Sequence, residues 1–236
     1  MPWYFRLLAV GSILAILPLG AAAEQASFGF SIAGIRVGAL TMASEQAGSD
    51  YTASSRIDTA GVAGIFADFF FDGRSTGSVG RDGAVVPANY AATSKSPRAL
   101  RETRIGWEGG VPVSVSVEPP RSSAPEPADQ GGTLDPVSAG FKLFRTQPAD
   151  SVCGSTVDVF DGSRRSRLKL GKPVPEGPNL ACAGTFARIE GEAHSMADLQ
   201  EFPFRLVFES AGDGLYRLER IEAPTNFGQA VIARQE

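Results

Sequence analysis

The chain has 236 residues, of which 22 are lysine or arginine and 26 are aspartate or glutamate, giving a net charge of −4. This slightly acidic balance, without a basic stripe, makes nucleic acid a poor partner. A single histidine excludes any site that needs two imidazoles, and two cysteines allow one intramolecular disulfide.

Residues 1–23 have the pattern of an export signal. One arginine precedes an apolar run, and the small residues that follow suit cleavage after Ala23. A membrane anchor is the alternative, but a proline and a glycine interrupt the run before the ~20 apolar residues that a span requires. The sequence therefore predicts a periplasmic protein, not an integral membrane protein, in which residues 24–236 form a single β-rich domain.

Alternating apolar and polar residues predict one strand after another along this domain. Phe28, Phe30 and Ile32 alternate with small residues, and similar runs recur to the C-terminus with Gly- and Asp-rich turns between them. We expect an all-β fold with minor α content, about 11–12 strands and one or two short helices. A sheet of this size curls, so the prediction is a single curved antiparallel sheet or a barrel, open or closed.

Three segments depart from the strand pattern. Apolar residues at 62–68 recur with a helical period and predict a short helix or tight turn. The proline-rich stretch 118–132 cannot form a core and is predicted to be a surface loop. A second helix is expected to begin after it, because Asp135 is a good N-cap and Pro136 fits the first helical position.

Aromatic side chains from the two helical segments and from later strands form the first candidate site. They would line the concave face of the sheet and hold an apolar or lipid-like molecule. The alternative is that the rings simply fill the core, as aromatic residues do in most β-folds. The candidate residues are Phe66, Phe69, Phe141, Phe144 and Phe204.

A late hairpin is bracketed by Cys153 and Cys182, which we expect to form a disulfide because the predicted compartment is oxidising. Asp161 and Gly162 fit a two-residue turn, in which case Phe160 lies opposite the residue after the glycine. The alternative to this disulfide is that both cysteines remain free thiols.

One face of this hairpin is predicted to be buried and the other to face solvent. The solvent face carries Asp158 and Phe160, with Asp158 paired across the strands to Arg165 as an ion pair. A second candidate surface, for an envelope partner protein, consists of Arg164, Arg165 and Arg167.

No residue pattern of an enzyme is found in the sequence. Glu190, Glu192 and His194 share one face of a strand and offer ligands for zinc or calcium, but a solvated acidic turn is the more common meaning of such a group. Ser155 lacks the flanking glycine spacing of a nucleophile elbow. We therefore predict no catalytic site, no metal and no cofactor.

The chain contains four short motifs in sequence: GIRVG at 34–38, PANY at 87–90, DPVSA at 135–139 and VFDGSRR at 159–165. Together they resemble a family of bacterial exported proteins, the domain-of-unknown-function family of DUF-3108 type. The resemblance covers nearly all of the chain after the signal. It implies a curved antiparallel sheet in the envelope, similar in outline to the half-barrels of periplasmic lipoprotein carriers, and it supplies no catalytic residues.

The predicted function is that of an exported, non-enzymatic protein of the cell envelope that binds an apolar or lipid-like ligand on the concave face of its sheet. The alternative is an envelope interaction protein with a filled core, which acts through its surface. The sequence leaves open the identity of the ligand or partner and the closure of the sheet.

Overall fold

The computed structural model describes residues 22–59, 69–96, 99–121, 123–191 and 201–235. Within these ranges the chain forms one antiparallel sheet and one α-helix, which confirms the predicted fold class. The helix is α1 (Pro136–Phe144). The strands in chain order are β1 (Ala22–Ile32), β2 (Ile35–Ala47), β3 (Asp50–Thr59), β4 (Phe70–Val79), β5 (Val85–Ser96), β6 (Ala99–Glu108), β7 (Val111–Glu118), β8 (Gln147–Pro148), β9 (Thr156–Phe160), β10 (Arg164–Leu170), β11 (Val174–Glu176), β12 (Asn179–Gly191), β13 (Glu201–Gly212), β14 (Leu215–Thr225) and β15 (Gly228–Gln235).

The described sheet has 15 strands, so the predicted number of about 11–12 is too low. Two of the additional strands, β8 and β11, contain only two and three residues. Segments this short carry too few side chains to show an alternation, which is why the pattern does not reveal them.

The sheet consists of two meanders joined side by side. Strands β7 to β1 lie in reverse chain order, and β15, β14, β13, β12, β10 and β9 follow. The join is the antiparallel pairing of β1 with β15, in which Phe28 lies opposite Arg234. The order ends at β7 on one side and β9 on the other, and these two edges do not pair with each other, so the sheet is not closed.

The chain between β7 and α1 crosses the gap between the two edge strands. On the β7 side, the Gly132 amide donates to the Gly110 carbonyl at 2.9 Å. On the β9 side, the Leu134 amide donates to the Asp158 carbonyl and the Phe160 amide donates to the Leu134 carbonyl, both at 2.8 Å. Most of the predicted surface loop 118–132 is exposed, but its buried Gln130 belongs to this crossing.

Helix α1 begins after Asp135 with Pro136 in its first turn, as the sequence predicts. It lies inside the curve of the sheet, where it contacts β2, β3, β4 and β5 on one side and β9 and β14 on the other. The ring of Phe141 stacks on Tyr51 with centroids 4.5 Å apart. Gly73 allows the close approach, because a Cβ at this position would lie 2.9 Å from a methyl group of Val137. The helix therefore occupies much of the interior.

Cys153 and Cys182 form the predicted disulfide, with their Cα atoms 5.9 Å apart. The bond lies in a buried cluster with Leu206, Phe208 and Leu218. It therefore ties the loop before β9 to β12 within one part of the core.

The predicted register of the β9–β10 hairpin is wrong by two residues. Phe160 lies opposite Arg165, not opposite Ser163. The turn is wider because the Asp161 carboxylate accepts hydrogen bonds from the backbone amides of Ser163 and Arg164, each at 2.8 Å, while Gly162 supplies a positive φ of 85°. A shift of two keeps each side chain on its predicted face of the ribbon.

The prediction that Phe160 faces solvent is also wrong, because its side chain is fully buried. Phe160 ends β9, and its backbone pairs with Leu134 of the crossing segment. Both residues belong to the same core cluster as Val137 and Phe141 of α1. In a strand that is covered on both faces, the side chains do not alternate between core and solvent.

Several predictions lie outside the described residues. These are the helix at 62–68, most of the acidic turn after Gly191 and the signal at 1–23 except its last two residues. Those two residues begin β1, so the predicted cleavage after Ala23 falls within that strand. Within the described part of the chain, no helix is both long and apolar enough to cross a membrane.

Candidate ligand pocket

The five candidate phenylalanines do not share one location. Phe66 lies outside the described residues. Phe69 is at the surface just before β4, and Phe141 is buried in the core against Tyr51. Phe144 and Phe204 are half-buried beside the disulfide cluster, where Phe144 also packs edge-on against Phe28.

The predicted ion pair between Asp158 and Arg165 is present. Arg165 Nη2 lies 2.6 Å from Asp158 Oδ2, and Arg167, which is the residue directly opposite in the ladder, places its Nε 2.7 Å from Asp158 Oδ1. Hydrogen bonds from Arg167, and then from Arg165, lower the pKa of the Asp158 carboxyl. Two of the three arginines of the predicted partner surface are thus already engaged by one carboxylate.

The replacement Asp158→Asn is expected to lower the melting temperature at pH 7. A carboxyl whose pKa is lowered by folding contributes stability above its unfolded value, near 3.8, and this contribution disappears as the pH falls through the folded value. The difference from wild type should therefore shrink between pH 5 and pH 2, which thermal unfolding at a series of pH values would measure. Asp50→Asn, at an exposed strand start, is the control; a difference that grows in acid would contradict this account.

A buried polar cluster fixes α1 to the sheet. The Asp135 carboxylate accepts hydrogen bonds from the amides of Val137 and Ser138 at 2.9 Å, from the Ser75 hydroxyl at 2.8 Å and from the Ser138 hydroxyl. The Ser138 hydroxyl also lies 2.7 Å from the hydroxyls of Ser75 and Tyr51. Burial raises the pKa of the Asp135 carboxyl and raises that of Tyr51 to about 12. The hydroxyls also bind one another, so the cluster has a structural role: its hydrogen bonds connect α1 to β3 and β4.

A cavity of about 310 Å³ lies between α1 and strands β9, β10 and β12. We call it the helix cavity. Its sheet wall is formed by two cross-strand pairs. Val159 of β9 lies opposite Ser166 of β10, and Leu168 of β10 lies opposite Phe186 of β12. Side chains of α1 form the opposite wall: Pro136, Ala139, Gly140 and Leu143.

Two of the four α1 residues in this wall are small, since Ala139 and Gly140 together carry one methyl group. A Cβ atom at Gly140 would lie 3.1 Å from the terminal methyl group of Met42 on β2. The mouth is polar, with Asp161 and Arg164 from the β9–β10 turn. The cavity thus combines apolar walls with a charged mouth.

The helix cavity is missed by the sequence prediction, although Arg164 of the predicted partner surface lies at its mouth. No local signal marks the cavity, because its lining comes from α1 and from three strands that are distant in the sequence.

Metal binding has no support among the described residues, where no three His, Cys, Asp or Glu side chains come together as ligands. Of the acidic group considered from the sequence, Glu190 accepts a hydrogen bond from Gln130 Nε2 at 3.2 Å. Glu192 and His194 lie outside the described residues.

The fold and cavity together define a class of protein, an open antiparallel β-sheet curled around one helix. The sequence profile of the family described as "Protein of unknown function (DUF3108)" matches residues 25–180, and the chain belongs to this family, as its motifs predict. Among solved structures it is similar to a beta-barrel-like protein of the domain of unknown function DUF1849 from Brucella abortus. The two share 13% identity with a TM-score of 0.41, over 90% of this chain and 95% of the other. No curated protein matches the sequence.

Proposed function

We propose that this chain is a non-enzymatic binding protein of the cell envelope, which holds an apolar or lipid-like small molecule in the helix cavity. The observation that carries the proposal is a cavity with apolar walls and a polar mouth between α1 and the second meander. The disulfide supports an oxidising location such as the periplasm, because such bonds are rare in reducing compartments.

The size of the helix cavity limits the ligand. Small-molecule sites usually enclose about 300–1,000 Å³, and this cavity is at the lower end of that range. A single short acyl chain or a small ring system fits this volume, whereas a lipid with two long chains does not.

The mouth gives the ligand an orientation. Its apolar part would lie against Leu168 and Phe186, and its polar end would lie near Ser166 and Arg164. At the same mouth, the Asp161 carboxylate accepts hydrogen bonds from the backbone amides of Ser163 and Arg164, which fixes the position of the Arg164 backbone.

The replacement Ala139→Leu is expected to fill the helix cavity and to weaken binding of a neutral apolar dye, N-phenyl-1-naphthylamine, at least about tenfold. The added carbons occupy the space that the ligand needs, while the free energy of unfolding stays within about 1 kcal/mol of wild type because a void is filled. Fluorescence titration measures the dye affinity, and denaturant unfolding measures the stability.

The control variant is Ala128→Leu, at an exposed position before α1. Wild type that does not bind the dye, or equal binding by the Ala139→Leu variant, would contradict the proposal. Mass spectrometry of organic extracts from the native protein, purified from its own source, would then identify the natural ligand.

A further inference from the structure

A second cavity, of about 250 Å³, lies near the C-terminal end of α1. Ala26, Met42, Phe141 and Phe144 form the apolar part of its lining, here called the apolar floor, which is smaller than the polar part. It shares no lining residue with the helix cavity, so the two are separate sites. We call it the arginine cavity, after the side chains described next.

Three arginines from distant parts of the chain line this cavity: Arg145 after α1, Arg217 on β14 and Arg234 on β15. Among the residues that the structure describes, Glu24 is the one acidic residue that lines it. The Glu24 carboxylate already accepts hydrogen bonds from the Thr146 amide at 3.0 Å and from the Thr146 hydroxyl at 3.2 Å. The lining therefore carries more positive than negative charge.

Two of these guanidinium groups form no ion pair with a described residue. Arg145 donates from Nη2 to the Gly83 carbonyl at 3.0 Å, lies over the ring of Phe141, and has a buried Nε without a hydrogen-bond partner. Arg234 donates from Nε to the Leu218 carbonyl at 2.9 Å and lies over a ring of the core. Both side chains are half-buried, and the Glu24 carboxylate is near enough to raise the pKa of each without forming a direct ion pair.

The third arginine has a carboxylate partner at the edge of the cavity. Arg217 Nε lies 2.5 Å from Glu209 Oε1. Burial lowers the pKa of both Arg145 and Arg234, and the nearby Arg217 lowers that of Arg234 further. The Glu24 carboxylate raises the pKa of both guanidinium groups, and Glu209 and Glu219 also raise that of Arg234, so the excess of positive charge is confined to the residues that line the cavity.

We propose that the arginine cavity binds a small organic anion, a carboxylate that carries a short apolar group. The carboxylate lies between Arg217 and Arg234, and the apolar group lies on Met42 and Phe144. A charged acceptor forms short, strong hydrogen bonds with guanidinium groups, and the apolar floor offers a contact surface to the apolar group.

Arg145 has an additional structural role, because a cation at the last turn of a helix complements the helix dipole. The test therefore uses Arg217 and Arg234, which lie on strands. Calorimetric titration of the full chain at low salt compares hexanoate with hexanol, its neutral counterpart of equal chain length, and with inorganic phosphate.

We expect hexanoate to bind at least about tenfold more tightly than either hexanol or phosphate, because it alone satisfies both the arginines and the apolar floor. Arg234→Gln and Arg217→Gln should each weaken hexanoate binding about tenfold. Glu24→Gln should strengthen it several-fold by removing a like charge, and this gain cannot result from misfolding. The control Arg104→Gln changes an exposed arginine outside the cavity and should have no effect.

No binding of hexanoate, equal binding of hexanol, or an equal loss in the Arg104→Gln control would overturn the proposal. Tighter binding of phosphate than of hexanoate would also overturn it, since the apolar floor would then contribute nothing. Hexanoate is also small enough for the helix cavity, so the titrations are repeated in the Ala139→Leu variant, in which that cavity is filled. Hexanoate binding that Ala139→Leu abolishes would overturn the proposal, whereas binding that it leaves unchanged is separate from the outcome for the helix cavity.

Discussion

Replacing Cys153 and Cys182 together by alanine is expected to lower the free energy of unfolding by about 3–4 kcal/mol. The bond closes a loop with a sequence separation of 29, and the conformational entropy that such a cross-link removes from the unfolded chain corresponds to about that amount. Both cysteines are buried beside Leu206 and Phe208, so the removed sulfurs leave space that adds to the cost. Denaturant unfolding of the variant and of the oxidised wild type measures the difference.

The control is wild type unfolded and refolded with its thiols reduced, which removes the cross-link but keeps the sulfur atoms. Reduced wild type should lose most of the stability that the double variant loses, and the remaining difference reports the lost packing. If the free energy of unfolding of the double variant is within about 1 kcal/mol of that of the oxidised protein, the expectation is wrong, and the disulfide does not stabilise the protein by restricting the unfolded chain.

The second large effect is expected for Asp135→Ala, which should lower the free energy of unfolding by about 2–4 kcal/mol. The change removes the N-cap of α1, worth about 1 kcal/mol, and removes the charged acceptor that the buried hydroxyls of Ser75 and Ser138 share, at about 1–3 kcal/mol. Those hydroxyls keep only each other, Tyr51 and the Asn89 carbonyl as partners. Chemical denaturation followed by circular dichroism measures the loss. Asp129→Ala, an exposed aspartate in the preceding turn, is the matched control and should change stability by less than about 0.5 kcal/mol.

Asp135→Asn separates the shape of this side chain from its charge. Asparagine keeps an oxygen for the amides of Val137 and Ser138, so its cost should be smaller than that of alanine. Burial raises the pKa of Asp135 in the folded state, so its contribution to stability is fully present below the unfolded value, near 3.8, and is lost as the pH rises through the folded value. The stability difference between wild type and the Asn variant should narrow as the pH rises from 4 to 8; a widening difference would contradict this assignment.

The features that the sequence predicts correctly depend on local chemistry or on composition. The start of α1 follows from Asp135 and Pro136 because capping involves residues only a few positions apart. The disulfide follows from having two cysteines in a chain predicted to be exported. The β-sheet follows from alternation repeated over many strands.

The features that the sequence does not predict depend on contacts between distant residues. The hairpin register was missed because the Asp161 side chain, rather than the backbone alone, sets the width of the turn. The polar cluster joins Asp135 to Ser75 and Tyr51, and no local pattern marks these partners. Both cavities result from which faces of α1 meet which strands, and this depends on how the two meanders close around the helix.

The pairing of β1 with β15 has a consequence for the order in which the protein is completed. The first meander can form before the C-terminal part of the chain is available, since each of its strands pairs with the preceding one. The ladder between Phe28 and Arg234, however, forms only after the strand that follows all others has emerged. Until then the backbone N–H and C=O groups along one side of β1 and of β14 are unpaired. An incomplete chain therefore has two strand edges that can pair with other chains and lead to aggregation.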